Sequence, residues 1–249
     1  DSQEDFLRQA VGDNIDKMFL YKANSPTIVK RRFIENYLLQ KLFEVYEIND
    51  EELNEEQDTA LYRILQEILP RYDVVVVVDY GHGMLSRNVI ELLCSQSRFL
   101  AVNTQANAGN RGFNTISKYP RADYVCIAQN EIALEERNQG SNVKEMILSM
   151  LQKVACGQIV VTRGRAGSTC YSDREGFTEV PAFVEQVVDR MGAGDAVISI
   201  TAQCVAQQAP MEVVGLIGNA VGAQAVTTLG HRTSIERAPL FKFIDSLLK

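Results

Sequence analysis

Short apolar runs alternate with stretches of helical spacing over most of this chain. The valine run Val74–Val78 is continuous, which is typical of a strand buried on both faces of a parallel sheet. Other apolar runs predict strands at 99–102, 124–127 and 159–161, and a hairpin over 168–171 and 177–180. Helical spacing predicts helices at 59–69, 89–93, from about 131, and at 143–154, 193–208, 211–228 and 237–248. This alternation predicts an α/β fold, a three-layer domain with right-handed crossovers and a mostly parallel sheet.

The first 50 residues follow a different pattern. Residues 17–48 are rich in β-branched and aromatic side chains, and the strongest strand or hairpin signal lies between Arg32 and Ile48. An acidic and polar stretch at 49–57 ends this region. We expect a single domain over 1–249, in which a small β-rich segment at 17–48 accompanies an α/β core at 73–249.

Polar residues gather where the predicted strands end. Asp79 follows the valine run, Asn103 and Gln105 follow the next strand, Asn130 follows the third and Thr162–Gly164 follows the fourth. An open parallel sheet binds its ligands beyond the carboxyl ends of its strands. We therefore expect these side chains to line one site.

The stretch Gly192–Asp195 carries the strongest chemical signal. It follows a strand-like run at Val187–Asp189 and places three small residues at the start of a predicted helix. Backbone N–H groups at the positive end of a helix form an anion site. A carboxylate beside a bound phosphate repels it, but Asp195 is suited to take a proton from a hydroxyl that attacks that phosphate. The same residues also suit a glycine turn with a capping aspartate, and they do not decide between the two.

The charge balance narrows the classes of partner. The net charge is −7, from 25 basic and 32 acidic residues, which argues against binding to nucleic acid or to an anionic membrane surface. No apolar run reaches the roughly 18 residues of a membrane-spanning helix. A local basic group at Lys30–Arg32 is still compatible with a phosphorylated ligand or with a solvated strand face. In a strand, Arg31 should point away from the other two.

Cysteine usage points to a reducing compartment. The five cysteines are widely spaced and form no C-x-x-C pair, which is typical of reduced, buried thiols in a cytoplasmic protein. The two histidines, His82 and His231, lack the spacing of a zinc site. The chain shows no signal-peptide pattern and opens on DSQEDFLRQ without a methionine, so we expect a fragment of a longer protein.

Several motifs together resemble one enzyme family. Asp189–Asp195, which reads DRMGAGD, resembles the D-T-x-G-A-G-D signature of the ribokinase-type (PfkB) carbohydrate kinases. Asp79–Gly83 and Pro26–Ile34 resemble the D-Y-G-K-G and T-x-V-K-x-R-x-I motifs of the bacterial heptose-phosphate kinases in that family. Thr162–Gly167 resembles the family's nucleotide-side T-x-G-x-x-G turn, and Asn219 matches the helix that lines its adenine pocket. The resemblance runs from about residue 17 to the end and implies a ribokinase-like fold.

This resemblance implies a role for each matching residue. It makes Asp195 the base that activates a sugar hydroxyl and Gly192, Ala193 and Gly194 the anion hole for the transferred phosphate. It implies ATP carried with Mg²⁺, and a monovalent cation such as K⁺ held near Asp189. The residues that it places along ATP are Asn130, Thr162, Arg163, Gly164, Gly167 and Asn219.

The resemblance also implies an acceptor and partners. The acceptor is a sugar or sugar phosphate, similar to a heptose phosphate, and the residues expected to contact it are Lys30, Asp79, Asn103 and Gln105. Asn103 and Gln105 also suit an ordinary polar loop. Relatives of this kind dimerise through the β-rich segment, which implies a homodimer through a lid at 17–48. Some carry a fused nucleotidyltransferase domain, which implies one in the parent protein.

Three departures from the family pattern favour an alternative. Arg190 stands where threonine is usual, and Ala133 stands where a family N-x-x-E motif would place its glutamate. The Gly/Asn-rich section that normally opens such kinases does not precede residue 17. The alternative is a degenerate kinase-like module that binds nucleotide or sugar and has a regulatory or structural role in a larger protein.

Overall fold

A six-stranded sheet forms the centre of the fold in the computed structural model, which describes residues 3–35, 41–107, 109–137, 140, 142–184, 187–228 and 233–249. Its strands are β3 (Val75–Asp79), β4 (Leu100–Thr104), β5 (Tyr124–Ala128), β6 (Gln158–Thr162), β7 (Ser168–Ser172) and β8 (Gly176–Val180). They lie side by side in chain order. The strands β3 to β6 are parallel, and β7 and β8 continue the sheet as an antiparallel hairpin. The predicted α/β fold with a mostly parallel sheet is confirmed.

Helices pack on both faces of this sheet, except for the first one, none of whose residues is buried. They are α1 (Glu4–Ala10), α2 (Glu55–Ile68), α3 (Arg87–Gln96), α4 (Gln129–Glu135), α5 (Val143–Leu151), α6 (Ala193–Ala206), α7 (Met211–Val226) and α8 (Arg237–Leu247). The expected helix after β5 is present and begins at Gln129, two residues before Glu131. One local expectation was wrong, since the run Val187–Asp189 forms no strand. The amides of Val188 and Asp189 instead donate to the carbonyl of Val226.

Successive residues of each central strand face opposite apolar layers. Leu100 and Val102 pack with α2 to α5, whereas Ala101 packs with α6 to α8. The same alternation divides the valine run, since Val77 belongs to the first layer and Val76 to the second. This is the reason that β3 to β6 read as continuous apolar runs. No helix in the described part of the chain is long and apolar enough to span a membrane.

The strand β3 lies at the edge of the sheet. On the side away from β4, no described strand pairs with it. An apolar cavity of about 650 Å³ lies along this edge, between β3 and the segment around Phe19 and Leu20. The valine run is therefore covered on its two faces but not along this edge.

The predicted β-rich segment contains an antiparallel hairpin of β1 (Val29–Ile34) and β2 (Lys41–Glu47). Its connection at 36–40 lies outside the described residues. Lys30 lies opposite Tyr46 on one face of the hairpin, and Arg31 lies opposite Val45 on the other. Arg31 pairs with Glu47 at 3.0 Å, so Lys30 and Arg31 point in opposite directions as the alternation predicts.

The turn between β6 and β7 requires glycine at position 167. Gly167 has a φ of +81°, and a Cβ there would lie 2.0 Å from the carbonyl oxygen of Val180. Gly176 has a similar φ of +74°, but a Cβ added there would meet no atom within 4 Å. Positive φ alone costs a side chain about 1–2 kcal/mol, whereas a clash with backbone adds to that cost.

We therefore expect Gly167→Ala to lower the free energy of unfolding more than Gly176→Ala does. Gly176→Ala should cost about 1–2 kcal/mol, because it carries the dihedral strain without the clash. Chemical denaturation of both variants measures the difference. Equal destabilisation would show that the close approach to Val180 is relieved at no cost.

Candidate active site

A cavity of about 410 Å³ opens at the carboxyl ends of β4, β5 and β6, against the start of α6. It brings together most of the residues that the sequence assigned to a site. Those that line it are Asn103, Gln105, Asn130, Thr162, Gly164, Gly167, Gly192, Ala193, Gly194, Asp195 and Asn219. Arg163, Lys30, Asp79 and Asp189 do not line it.

The first turn of α6 forms one wall of this cavity. Gly192 precedes the helix in the left-handed conformation, with a φ of 69°, and no side chain in the described part of the chain caps the helix. The first N–H groups of a helix have no partner within it and carry partial positive charge. Val197, Ile198 and Thr201 are buried one and two turns later and fix the helix against the sheet. The wall at Gly192–Gly194 therefore suits an anion.

Asp195 is held from two sides. The Tyr80 hydroxyl donates a hydrogen bond to Asp195 Oδ2 at 2.9 Å, and the Gln105 side-chain amide donates one to Oδ1. Tyr80 lies 115 positions away in the sequence, and its motif gave no signal of this contact. Burial raises the pKa of Tyr80 above its usual value, and the Asp195 charge adds to this effect. The phenol therefore stays protonated and remains a donor.

The amide-rich loop after β4 holds the loop that carries Tyr80. The side-chain amides of Asn107 and Asn110 donate to the Tyr80 carbonyl at 2.9 and 2.7 Å. The Asn114 amide donates to the carbonyl of Asp79 at 2.7 Å. These side-chain amides donate to backbone carbonyls, so this part of the loop positions Tyr80 and does not offer its amide donors to a ligand.

Asp79 lies beneath the site and is 4% exposed. Its carboxylate accepts from Tyr119 at 2.6 Å, pairs with Lys118 at 2.6 Å and accepts from the Gly81 amide at 2.9 Å. The expectation that Asp79 contacts the substrate stays a prediction, and in this structure its carboxylate contacts protein donors. A carboxylate with three protein donors is a structural anchor for the 79–83 loop, and removing it would leave the Lys118 charge without its partner.

Asn103 has an unused acceptor inside the cavity. It is 3% exposed, and its side-chain amide donates to the carbonyl of Cys126 at 2.7 Å. Its Oδ1 atom is buried and has no hydrogen-bond partner in the structure. A buried polar atom without a partner is costly, so Oδ1 marks a place where a ligand donor fits.

The nucleotide-side turn is formed by a short 3₁₀ segment at Gly164–Ala166. Asn219 on α7 donates to the carbonyls of Val180 and Pro181, both at 3.0 Å, and so fixes the backbone that continues to the cavity residue Phe183. Arg163 points elsewhere. Its guanidinium bonds to Glu179 at 2.9 Å on the β7–β8 hairpin, and its expected contact with a nucleotide stays a prediction.

Ala133 stands where the family motif has a glutamate, and Glu131, two residues earlier, places a carboxylate at the cavity instead. It lines the cavity, while Ala133 packs against the apolar layer. Glu131 accepts from the amides of Ala128 and Ala106 at 3.0 and 3.2 Å. Burial raises the pKa of Glu131, and the nearby Asp195 charge adds to the increase. Glu131 therefore connects α4 to the loop after β4 at the edge of the site.

Lys30 and Asp189 lie outside the cavity wall. The Lys30 ammonium sits 5.3 Å from the ring centroids of both Tyr46 and Tyr80, and it has no carboxylate partner among the described residues. Burial lowers the pKa of Lys30, and the charge of Arg32 lowers it further. Asp189 accepts from the amide of Met191 at 3.0 Å, in the loop that leads into α6.

The donor set fits a metal ion that arrives with a ligand. Within the described ranges no three His, Cys, Asp or Glu side chains lie close enough to hold a metal ion. Mg²⁺ in phosphate-transfer sites keeps several waters and is bound by one or two carboxylates together with substrate phosphates. Asp195 and Glu131 are the carboxylates that line the cavity. Two carboxylates suit an ion that is also held by phosphates and water, and they do not suit an ion that protein side chains hold alone.

A model of one protein family matches almost the whole chain. Residues 3–238 match the family described as "pfkB family carbohydrate kinase". The chain belongs to this family. The match includes both the hairpin β1–β2 and the Gly192–Asp195 block.

Curated relatives share about a quarter of their residues with the chain. "Bifunctional protein HldE" of Desulfatibacillum aliphaticivorans is 27% identical over 239 residues, which cover 93% of the chain and 46% of the relative. The protein of the same name from Campylobacter jejuni is 24% identical, covering 94% and 50%. The chain therefore spans about half the length of these relatives.

Solved structures confirm the ribokinase-like fold. Ribokinase from Thermotoga maritima superposes with a TM-score of 0.68 at 19% identity, covering 92% of this chain and 71% of that one. Phosphofructokinase-2 from Escherichia coli in complex with potassium superposes with a TM-score of 0.67 at 17% identity, covering 83% and 67%.

Proposed function

We propose that this domain transfers the γ-phosphoryl group of ATP to a hydroxyl of a sugar or sugar phosphate, with Asp195 as the base. The observation that carries the proposal is the position of Asp195 directly at the uncapped start of α6, in the cavity at the strand ends. The helix end stabilises the charge of a phosphoryl group in transit, and the carboxylate accepts the proton of the attacking hydroxyl. Membership of the carbohydrate kinase family supports this assignment.

The cavity offers a nucleotide side and an acceptor side. Thr162, Gly164, Gly167 and Asn219 are the residues that would lie along ATP, with Asn130 near its phosphates. ATP supplies the phosphoryl group, and Mg²⁺ supplies the charge that offsets its oxygens. A K⁺ site near Asp189 stays a prediction, which accords with the potassium bound to the Escherichia coli phosphofructokinase-2.

The acceptor side favours a phosphorylated sugar. Lys30 is an ammonium without a carboxylate partner among the described residues, near the ring of Tyr80, whose hydroxyl reaches Asp195. Such a cation suits the phosphate of the acceptor. Asn103 Oδ1 and Gln105 suit its hydroxyl groups. A heptose phosphate is our proposed acceptor because the relatives named HldE cover this chain almost completely.

Asp195→Asn should lower the rate of sugar-phosphate phosphorylation by about 10² to 10⁴, since it removes the proton acceptor and keeps the shape of the side chain. The rate is measured as ADP release with a panel of sugar phosphates. Asp73→Asn is the control, because Asp73 is an exposed carboxylate paired with Arg98 and far from the cavity.

An equal, background rate in the wild type and in Asp195→Asn would defeat the proposal. It would favour the alternative of a nucleotide- or sugar-binding module with a regulatory or structural role. Ala133 is the observation that supports this alternative, because its methyl group packs into the core where a carboxylate at the phosphates would be expected.

Lys30→Gln should raise the KM for a phosphorylated acceptor about tenfold or more and leave the KM for ATP nearly unchanged. The reason is that a hydrogen bond to a charged group contributes about 1.5–3 kcal/mol. Arg31→Gln is the matched control, since it removes a neighbouring charge on the opposite face of the same strand. Equal effects of the two substitutions would assign the result to net charge and not to a phosphate contact.

We also propose that the lid hairpin joins two copies of the chain. Phe33 and Phe43 stack on its outer face with ring centroids 4.4 Å apart, and they are 41% and 54% exposed. Val45 extends this apolar face. An exposed apolar strand face of this kind is a common protein interface.

The parent protein is proposed to carry a fused nucleotidyltransferase domain. The length of the HldE relatives and the word "bifunctional" in their name accord with this proposal.

Phe43→Lys should shift the protein from dimer to monomer in analytical ultracentrifugation, because it places a charge in the apolar face. Phe113→Lys is the control, since Phe113 is 89% exposed on a different loop. A wild-type protein that sediments as a monomer at all concentrations would contradict the proposed interface.

A further inference from the structure

Both oxygens of the proposed base already have protein donors. Tyr80 donates to Asp195 Oδ2 at 2.9 Å, and Gln105 donates to Oδ1. A carboxylate offers about four lone-pair positions, so an acceptor hydroxyl must compete with or join these donors. Both donors are neutral groups, and between them they contact both oxygens of the carboxylate.

Tyr80 is placed firmly enough to act as a lasting partner. Its carbonyl accepts from the side chains of Asn107 and Asn110, which fixes the backbone on one side. Its ring lies parallel to that of His82, at 8° and 6.2 Å between centroids. The Lys30 ammonium lies 5.3 Å from the ring centroid. A phenol positioned in this way loses little further freedom when it bonds to Asp195.

A kinase that uses a carboxylate base has to prefer a sugar hydroxyl over water. Water is small, abundant and able to give a proton to the same base, so the unwanted reaction is hydrolysis of ATP. In that step the water oxygen bonds to the γ-phosphorus, the bond from phosphorus to the β–γ bridging oxygen breaks, and the water proton passes to Asp195. The products are ADP and inorganic phosphate.

We propose that Tyr80 and Gln105 determine the specificity for sugar over water, by occupying Asp195 until an acceptor displaces them. The inference rests on the proposed role of Asp195 as base. A sugar that also bonds to Asn103 and Lys30 brings enough binding free energy to displace or share a donor, whereas a single water molecule makes no such additional contacts. In this role Tyr80 and Gln105 act through Asp195, and Gln105 also lines the cavity where the acceptor hydroxyls would bind.

The test is ATP hydrolysis in the absence of any sugar, measured as ADP release from Mg²⁺-ATP. Tyr80→Phe keeps the ring and removes the hydroxyl, and Gln105→Met keeps the length and removes the amide. Each should raise hydrolysis about tenfold, the value of one hydrogen bond to a charged group. A structural defect would lower this rate, so an increase separates the two explanations.

Two further variants locate the effect. In the double variant Tyr80→Phe/Asp195→Asn the increase should disappear, because the freed base is gone. Tyr72→Phe removes a hydroxyl from a half-exposed tyrosine outside the cavity and should leave hydrolysis unchanged. Calorimetry with ATP should give the same affinity for wild type and Tyr80→Phe.

Three results would overturn the inference. Hydrolysis by Tyr80→Phe and Gln105→Met at or below the wild-type rate would show that neither donor protects the base. An increase that survives Asp195→Asn would show that the reaction does not pass through this carboxylate. A matching increase in Tyr72→Phe would show that the effect does not come from the loss of a donor to Asp195. None of these results depends on sugar phosphorylation, so the inference can fail while the proposed kinase activity stands.

Discussion

The site depends on one electrostatic arrangement: a carboxylate placed at the positive end of a helix that no side chain of the described residues caps. Gly192 makes this arrangement possible, because its left-handed conformation lets the chain enter α6 without a capping side chain. The helix end then attracts an anion while Asp195 repels it. This conflict is useful when the anion must be held beside a group that takes a proton from its attacker.

The parallel sheet brings the remaining parts to the same place. The strands β3 to β6 end at one edge, so the loops that follow them meet although they are distant in the sequence. Asp79, buried with Lys118 and Tyr119, anchors the loop that carries Tyr80. The tyrosine in turn reaches Asp195. The base is therefore oriented by a chain of polar contacts that begins at the buried Asp79 beneath the cavity.

Local pattern and long-range contact differ in how far the sequence predicts them. The central strands were predictable because Val74–Val78 and its counterparts are apolar on both faces, and the hairpin because its residues are β-branched and aromatic. Helix α1 was not, since none of its residues is buried and it has no apolar periodicity to detect. The partners of Asp79 and Arg163 could not be predicted either. Such contacts depend on which loops meet, and composition near a motif does not report this.

The most direct measurement is a crystal structure of this chain with a non-hydrolysable ATP analogue and Mg²⁺. We predict that the β- and γ-phosphates lie within hydrogen-bond distance of the backbone amides of Gly192–Gly194. We also predict that Asp195 faces an open acceptor space next to Tyr80 and Asn103. Phosphates bound away from the start of α6, or a nucleotide that fills the space in front of Asp195, would contradict the proposed roles of both.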